Sequence, residues 1–157
     1  MPQHLFALNA FPYATIAAQD WVLEGGSIET DGQGTLLTTS SCLLNKNRNP
    51  NLTKDDIETR LKSAFGVRKI NWLDHGYLAG DDTDSHIDTL ARLCPNNTIV
   101  YTACDDEQDE HYVELKKMEE QLKTFVMLNY FEINPTFKVK GLFVKDTIFR
   151  TFEMKTS

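Results

Sequence analysis

The stretch Gly80-Asp81-Asp82-Thr83-Asp84-Ser85-His86-Ile87-Asp88 holds the side chains of this sequence that are best suited to chemistry. It places several carboxylates and one imidazole directly before the apolar segment 89–93. We predict a strand over 86–93, in which residues two apart face the same side, so His86 and Asp88 would share one face. A carboxylate there can hold a cation while the imidazole moves protons.

Two other interpretations of this stretch stay open. In the first, Asp81, Asp82 and Asp84 cap a turn, and His86 is a half-buried side chain without a chemical role. In the second, residues 82–87 bind a metal ion as an EF-hand loop does. That match is poor because Ile87 stands where the loop requires glycine, so the sequence predicts no metal site.

Glu24 is the second residue of chemical interest, because the pair Gly25-Gly26 follows it. Glycines let a backbone bend or approach another group closely. One interpretation is a carboxylate that orients a histidine, and the other is an ordinary charge on an edge strand. In the repeat described next, Glu24 and His86 are one unit apart, which would place both at one end of the fold.

The elements that must position these residues follow a repeating order. Strands over 21–30 and 35–39 are joined by Asp31-Gly32-Gln33-Gly34, a strong turn signal. A capped amphipathic helix over 53–65 and a strand over 67–73 complete the first unit. The second unit has strands over 86–93 and 98–103, a helix over 108–123, and a strand candidate over 126–133.

This order predicts an α/β fold with two ββαβ modules over residues 21–133, which cannot bury their faces alone and need neighbours. Residues 1–20 are interpreted as an extended lead-in. Residues 134–157 form a divergent tail that alternates apolar and basic residues and resembles a short amphipathic hairpin around Gly141 and Asp146.

Composition narrows the class of partner. The chain has 157 residues, 41% hydrophobic and 25% charged, which suits one globular domain. A net charge of −7 without a basic stripe argues against nucleic acid and suits a cationic ligand. We expect neither a membrane span nor a secretory signal. Cys42, Cys94 and Cys104 lack CxxC spacing, so a reduced, cytoplasmic protein is expected.

Four segments, taken in order, resemble the agmatine deiminase and bacterial-type peptidyl-arginine deiminase family. They are Val22-Leu23-Glu24-Gly25-Gly26-Ser27-Ile28-Glu29, Gly34-Thr35-Leu36-Leu37-Thr38-Thr39, Cys42-Leu43-Leu44-Asn45-Lys46-Asn47-Arg48-Asn49-Pro50, and 80–88. The likeness covers about residues 20–124, and the motifs are highly specific. It implies a pentein fold, the five-bladed α/β propeller of ββαβ modules, with about two modules here.

The resemblance implies a hydrolase that removes ammonia from a guanidinium group without a cofactor. The reaction would convert agmatine to N-carbamoylputrescine, a step toward putrescine, or arginine to citrulline. In the family, two carboxylates hold the cation, a cysteine thiolate attacks it, and a histidine oriented by a glutamate transfers protons. By this resemblance Glu24 is the orienting glutamate, His86 the acid/base, and Asp88 one cation-binding carboxylate. Asp82 and Asp84 belong to the same substrate-binding motif.

Two family features have no counterpart in the sequence: the second cation-binding aspartate, and the nucleophilic cysteine that follows a glycine-rich strand. We therefore expect a truncated part of such an enzyme that is inactive alone. The alternative is a non-catalytic guanidinium-binding module or pseudoenzyme. The expected partner is a small guanidino cation, and open sheet edges predict self-association or an edge covered by the tail.

Overall fold

The computed structural model describes residues 20–95, 98–130, 137–144 and 147–154. The strands are β1 (Ile28–Thr30), β2 (Thr35–Thr39), β3 (Lys69–Leu73), β4 (Ala91–Cys94), β5 (Thr98–Ala103), β6 (Phe137–Val144) and β7 (Thr147–Met154). The helices are α1 (Ser40–Leu43), α2 (Lys54–Phe65), α3 (Ile87–Leu90) and α4 (Tyr112–Tyr130), and a 3₁₀ turn spans Gly25–Ser27. The predicted lead-in, apart from Asp20, lies outside the described residues.

The first half of the chain is the predicted ββαβ unit. β1 and β2 form an antiparallel hairpin, with Ile28 opposite Thr38. β3 pairs with β2 in parallel, with Leu36 opposite Ile70, after the chain crosses over through α2. The resulting sheet has the order β1-β2-β3.

Helix α2 begins and ends at the residues that the sequence marks. The Thr53 hydroxyl accepts from the Asp56 backbone N–H, and the Asp56 carboxylate accepts from the Thr53 N–H, which completes a capping box. Gly66 ends the helix in the left-handed region, at φ 65°, where a residue with a Cβ would be strained. Ile57 and Leu61 are fully buried, as the predicted stripe requires.

The central strand β2 is buried on both faces. Leu36 belongs to the core cluster under α2, together with Ile57 and Leu61, whereas Leu37 belongs to a second cluster with Leu122 of α4. Successive strand residues point to opposite faces, so adjacent leucines on β2 serve the two cores. The end of β2 is therefore held rigidly between the layers.

The segment before β1 is not the strand predicted over 21–30. Only Ile28–Thr30 is a strand, and the 3₁₀ turn stands before it. The Asn49 side chain accepts from the Val22 N–H at 2.9 Å and donates to the Val22 carbonyl at 3.0 Å. One amide side chain thus satisfies both backbone groups of Val22 in place of a neighbouring strand.

The strand predicted over 86–93 is also wrong in its first part. Residues Ile87–Leu90 form the one-turn helix α3, and β4 begins only at Ala91. Ile87 and Leu90 are both buried, and a spacing of three places them on one side of a helical turn. The strand hairpin β4–β5 follows, antiparallel, with Ala91 opposite Tyr101.

Helix α4 differs in length from the helix predicted over 108–123. It begins at Tyr112, since the Asp109 carboxylate accepts from the His111 N–H in a local turn before it. It continues to Tyr130, so residues 126–130 of the strand candidate 126–133 are helical, and 131–133 lie outside the described residues. The sequence has no glycine or proline between Tyr112 and Pro135 to stop the helix earlier.

The tail forms the predicted hairpin. β6 and β7 are antiparallel, flanking residues 145–146, and Gly141 lies inside β6. β7 also pairs antiparallel with β5, Arg150 opposite Tyr101, which gives a sheet of order β4-β5-β7-β6. The tail therefore covers an edge of β5, one of the two outcomes predicted for it. None of the described helices combines the length and apolarity needed to cross a membrane.

Candidate active site

Three loops meet at the carboxyl end of β2, and two of them carry the predicted site residues. The Thr38 hydroxyl donates to the Ser27 carbonyl at 2.7 Å and fixes the loop that follows Glu24. The Thr39 hydroxyl donates to the Ser85 carbonyl at 2.8 Å and fixes the loop that precedes His86. Thr39 also caps α1, since its hydroxyl accepts from the Cys42 N–H. The end of one strand thereby positions all three loops.

Glu24 and His86 are in direct contact, as predicted. Glu24 Oε2 lies 2.8 Å from His86 Nε2. A hydrogen bond from Arg48 and a second from His86 lower the pKa of Glu24 to about 2, so the carboxylate is ionised at neutral pH. An ionised carboxylate only accepts, so we assign the hydrogen of this bond to His86 Nε2. Nδ1 is then the nitrogen left for proton exchange.

Gly26 explains why a glycine pair follows Glu24. A Cβ at this position would lie 2.6 Å from His86 Nδ1 and 2.7 Å from Asp88 Oδ2. Real Cβ atoms do not approach other heavy atoms so closely, so only glycine fits without displacing these groups. His86 Nδ1 and the Asp88 carboxylate therefore lie close to one point above Gly26. His86 is the N-cap of the short helix α3 and Asp88 lies in its first turn. The two side chains therefore meet at the start of a helix, and not on one face of a strand as the sequence predicted.

The acidic residues of the loop have different environments. Asp88 is exposed and has no hydrogen-bond or ion-pair partner among the described residues, so its carboxylate is available to a ligand. Asp82 is exposed and equally unpaired within that part of the chain. Asp84 forms an ion pair with Arg48 at 2.5 Å. Of the acids predicted to bind substrate, Asp88 approaches Gly26 together with the His86 Nδ1 atom.

Asp81 caps the loop, as the capping interpretation predicted for it, whereas Asp84 pairs with Arg48 instead. The Asp81 carboxylate accepts from the backbone N–H groups of Thr83 and Ser85 at 2.9 and 2.7 Å. Burial of the Asp81 carboxyl acts to raise its pKa. The hydrogen bonds from the two backbone N–H groups and from the Thr83 hydroxyl have the larger combined effect and lower the pKa of Asp81. The bonds support a backbone in which Asp84 and Ser85 adopt positive φ angles, 58° and 60°.

Arg48 is the site residue that the sequence analysis missed. It lies in the loop after α1, inside the Cys42–Pro50 motif, and its side chain is only 12% exposed. Its guanidinium contacts Glu24 and Asp84. The signal that could have indicated it is an arginine inside one of the four segments that resemble the family.

Cys42 lies next to the pair but is a poor nucleophile. It is fully buried, and its Sγ is 3.7 Å from Glu24 Oε2. Burial raises the pKa of the Cys42 thiol to about 11, so it stays protonated at neutral pH.

Glu24, Cys42 and His86 have donor atoms within 4.8 Å of one another, the spacing of a metal site. The Arg48 guanidinium, however, donates to Glu24 Oε2, the same oxygen that contacts Cys42 and His86. A cation placed among the three donors would meet this fixed positive charge, so the arrangement favours proton transfer over metal binding.

Comparisons with known proteins identify the family and the fold of this chain. A family model described as Porphyromonas-type peptidyl-arginine deiminase matches residues 1–135. The agmatine deiminase of Medicago truncatula is 48% identical over 91 residues, which are 58% of this chain and 24% of that enzyme. The chain thus spans about a quarter of the length of this curated relative.

Solved structures share the fold. The substrate-bound structure of a cysteine-to-serine variant of C. jejuni agmatine deiminase has a TM-score of 0.72 at 42% identity, and the match covers 93% of this chain and 42% of that one. The agmatine deiminase of Enterococcus faecalis gives 0.64 at 33% identity, covering 76% and 32%. These structures confirm the predicted α/β fold class, and the chain belongs to the family of agmatine and Porphyromonas-type peptidyl-arginine deiminases.

Proposed function

We propose that this chain carries the acid/base and cation-binding part of a deiminase site that hydrolyses a guanidinium group. The observation that carries the proposal is that His86 Nδ1 and Asp88 Oδ2 both lie close to Gly26. The other nitrogen of the same imidazole, Nε2, is hydrogen-bonded to Glu24. Agmatine is the substrate we favour, because relatives such as that of Medicago truncatula are named agmatine deiminases.

Asp88 would bind the guanidinium. Its carboxylate is exposed and unpaired in the described part of the chain, and a guanidinium presents donors that match a carboxylate in charge and shape. Binding there brings the guanidinium close to His86 Nδ1. Asp82 lies in the same loop and, in this proposal, adds to the negative field that attracts the cation.

His86 would supply the protons of the reaction. Attack on the central guanidinium carbon gives a tetrahedral adduct, and the imidazolium at Nδ1 protonates the nitrogen that leaves as ammonia when its C–N bond breaks. The neutral imidazole then takes a proton from water as the water oxygen adds to the carbon. The C–S bond to the attacking thiolate breaks, the thiolate leaves, and loss of the hydroxyl proton to solvent gives the urea-type product. Glu24 stabilises the imidazolium through Nε2 in both steps.

The attacking group in this proposal is a cysteine thiolate, as the resemblance implies, and Cys42 is unsuited to that role because its thiol is buried and protonated. We therefore expect binding without turnover by this chain alone. The same observation favours the second candidate function, a guanidinium-binding module that lacks catalysis.

The remaining expectations are part of the proposal. The ligand is a small guanidino cation, which suits a net charge of −7. A reducing, cytoplasmic location suits the three free cysteines. Self-association would use the edges of β1 and β3, which have no second strand partner in the described part of the chain.

The test is calorimetric titration of the chain with agmatine, with putrescine as the amine control that lacks a guanidinium. We expect binding of agmatine, and its loss in Asp88→Asn. Asp55→Asn is the matched control, because Asp55 is an exposed acid on α2, outside the three loops. Equal binding of putrescine, or binding that survives Asp88→Asn, would contradict the proposal.

Ammonia release in the same samples separates the two candidates. Turnover that disappears in His86→Ala would make the chain an enzyme by itself and would overturn the assignment of Cys42. Binding without ammonia release supports a binding part of the site that lacks its nucleophile.

A further inference from the structure

Arg48 uses three nitrogens to hold three different groups. Nε donates to Glu24 Oε2 at 2.7 Å, Nη1 to Asp84 Oδ2 at 2.5 Å, and Nη2 to the Thr83 carbonyl at 3.2 Å. The side chain is 12% exposed, so these contacts are formed largely away from solvent. Such a planar fork fixes direction as well as charge, which a lysine ammonium does not.

The contact with Glu24 fixes the carboxylate that faces the histidine. The same oxygen, Oε2, receives Arg48 Nε at 2.7 Å and lies 2.8 Å from His86 Nε2. Two donors on one oxygen leave the carboxylate little freedom to rotate away from the imidazole. The Glu24 side chain is 40% exposed, so the packing around it does not fix its position. The hydrogen bond from Arg48 does.

The contact with Asp84 fixes the loop from the other side. Asp84 and Ser85 both have positive φ, a conformation that costs free energy for residues with a Cβ. The Arg48 contacts with Asp84 and Thr83 help to hold this conformation, and His86 follows directly in the chain. Arg48 therefore restrains both partners of the Glu24–His86 bond.

We propose that Arg48 is a positioning residue, which holds Glu24 against His86 and fastens the loop before His86, and that Asp84 acts through Arg48 and not on substrate. The role of Arg48 in guanidinium chemistry rests on the function proposed above. The resemblance placed Asp84 in the substrate-binding motif without a direct contact, and the present proposal gives it an indirect role there.

The first test follows the Glu24 carboxyl carbon by NMR as pH is lowered. In the wild-type chain, Arg48 and His86 hold the pKa of Glu24 at about 2. We expect Arg48→Met to move the midpoint toward the ordinary value of 4.5, and Arg48→Lys, which keeps the charge but cannot bridge three groups, to give an intermediate value. Arg60→Met is the matched control, because Arg60 pairs with Asp20 outside the site.

A merely structural role would lower stability without moving this carboxyl. A midpoint that is unchanged in both Arg48 variants overturns the proposal. If Arg48→Met does not fold, Arg48→Lys alone decides. The titration requires no ligand, so a wild-type chain that fails to bind agmatine would overturn the proposed function and leave this test intact.

The second test is a double-mutant cycle on thermal stability and agmatine affinity with Arg48→Met and Asp84→Asn. Because Asp84 acts through Arg48, we expect the double variant to lose little beyond Arg48→Met. Full additivity of the two losses in both measurements overturns the coupling of Asp84 to Arg48.

Discussion

Gly26 and His86 are packed so closely that a single added carbon would collide with the imidazole, at 2.6 Å from Nδ1. We predict that Gly26→Ala displaces His86 and Asp88 and abolishes guanidinium binding. Gly25→Ala is the control, because a Cβ at Gly25 would meet no atom within 4 Å. Calorimetry with agmatine checks both variants, and near-wild-type affinity in Gly26→Ala would show that the close approach is not functional.

The Glu24 carboxylate should make stability depend on pH in a defined window. Its pKa is about 2 in the folded chain against an ordinary 4.5, so its contribution is complete above pH 4.5 and is lost as pH falls toward 2. We expect Glu24→Gln to flatten the fall in stability over this window relative to wild type.

Urea unfolding at several pH values measures this effect. Glu107→Gln, at an exposed residue in the turn before α4, is the control and should keep the wild-type slope. A Glu24→Gln curve that runs parallel to wild type below pH 4.5 would contradict the assignment.

Asn49 should be important for stability, although it lies in a polar loop. Its side chain satisfies both backbone groups of Val22, and Asn49 is itself buried. We expect Asn49→Ala to lower the free energy of unfolding by about 1–3 kcal/mol, because it removes two hydrogen bonds worth about 0.5–1.5 kcal/mol each. Asn47→Ala, at an exposed position of the same loop, should have little effect in the same chemical denaturation.

The cap of α2 gives a smaller and separable effect. Thr53→Ala removes the hydroxyl that accepts from the Asp56 N–H and should cost about 1 kcal/mol. In a chain of this size, such a loss lowers the melting temperature by roughly 2–4 °C. Calorimetric melting checks this, with Ser63→Ala on the exposed face of α2 as the control; an equal shift in both variants would argue against the capping box.

Cys42 should resist alkylation while the chain is folded. It is fully buried, and its pKa is raised to about 11 by burial, so both access and thiolate are lacking at neutral pH. We expect mass spectrometry to find Cys42 unmodified after iodoacetamide treatment and modified after unfolding in urea. Rapid modification of the folded chain would reinstate Cys42 as a candidate nucleophile.

The sequence predicted those parts of the fold that rest on local signals. The hairpin β1–β2 and helix α2 follow from a glycine turn and from Thr53 and Gly66, and both are present. The pairing of Glu24 with His86 was found because the motifs matched a family. Their roles in catalysis stay predictions.

The errors occurred where tertiary contacts decide. Ile87 and Leu90 suit both a strand and a helical turn, and burial of both on one side selects the turn. Helix α4 continues because nothing before Pro135 stops it, although Val126-Met127-Leu128 resembles a strand. Arg48 was missed because its partners Glu24 and Asp84 are distant in sequence.

The two adjacent leucines of β2 have a consequence for how the strand finds its register. A slip by one residue would turn Leu36 and Leu37 to the opposite faces, so each core would still receive one leucine, while Thr35 or Thr38 would enter the site that a leucine leaves. The leucine pair by itself therefore cannot fix the alignment. The hydroxyls of Thr38 and Thr39 can, because each reaches one particular carbonyl, those of Ser27 and Ser85. The alignment of the central strand is thus encoded by polar contacts at its end, in the same bonds that assemble the site.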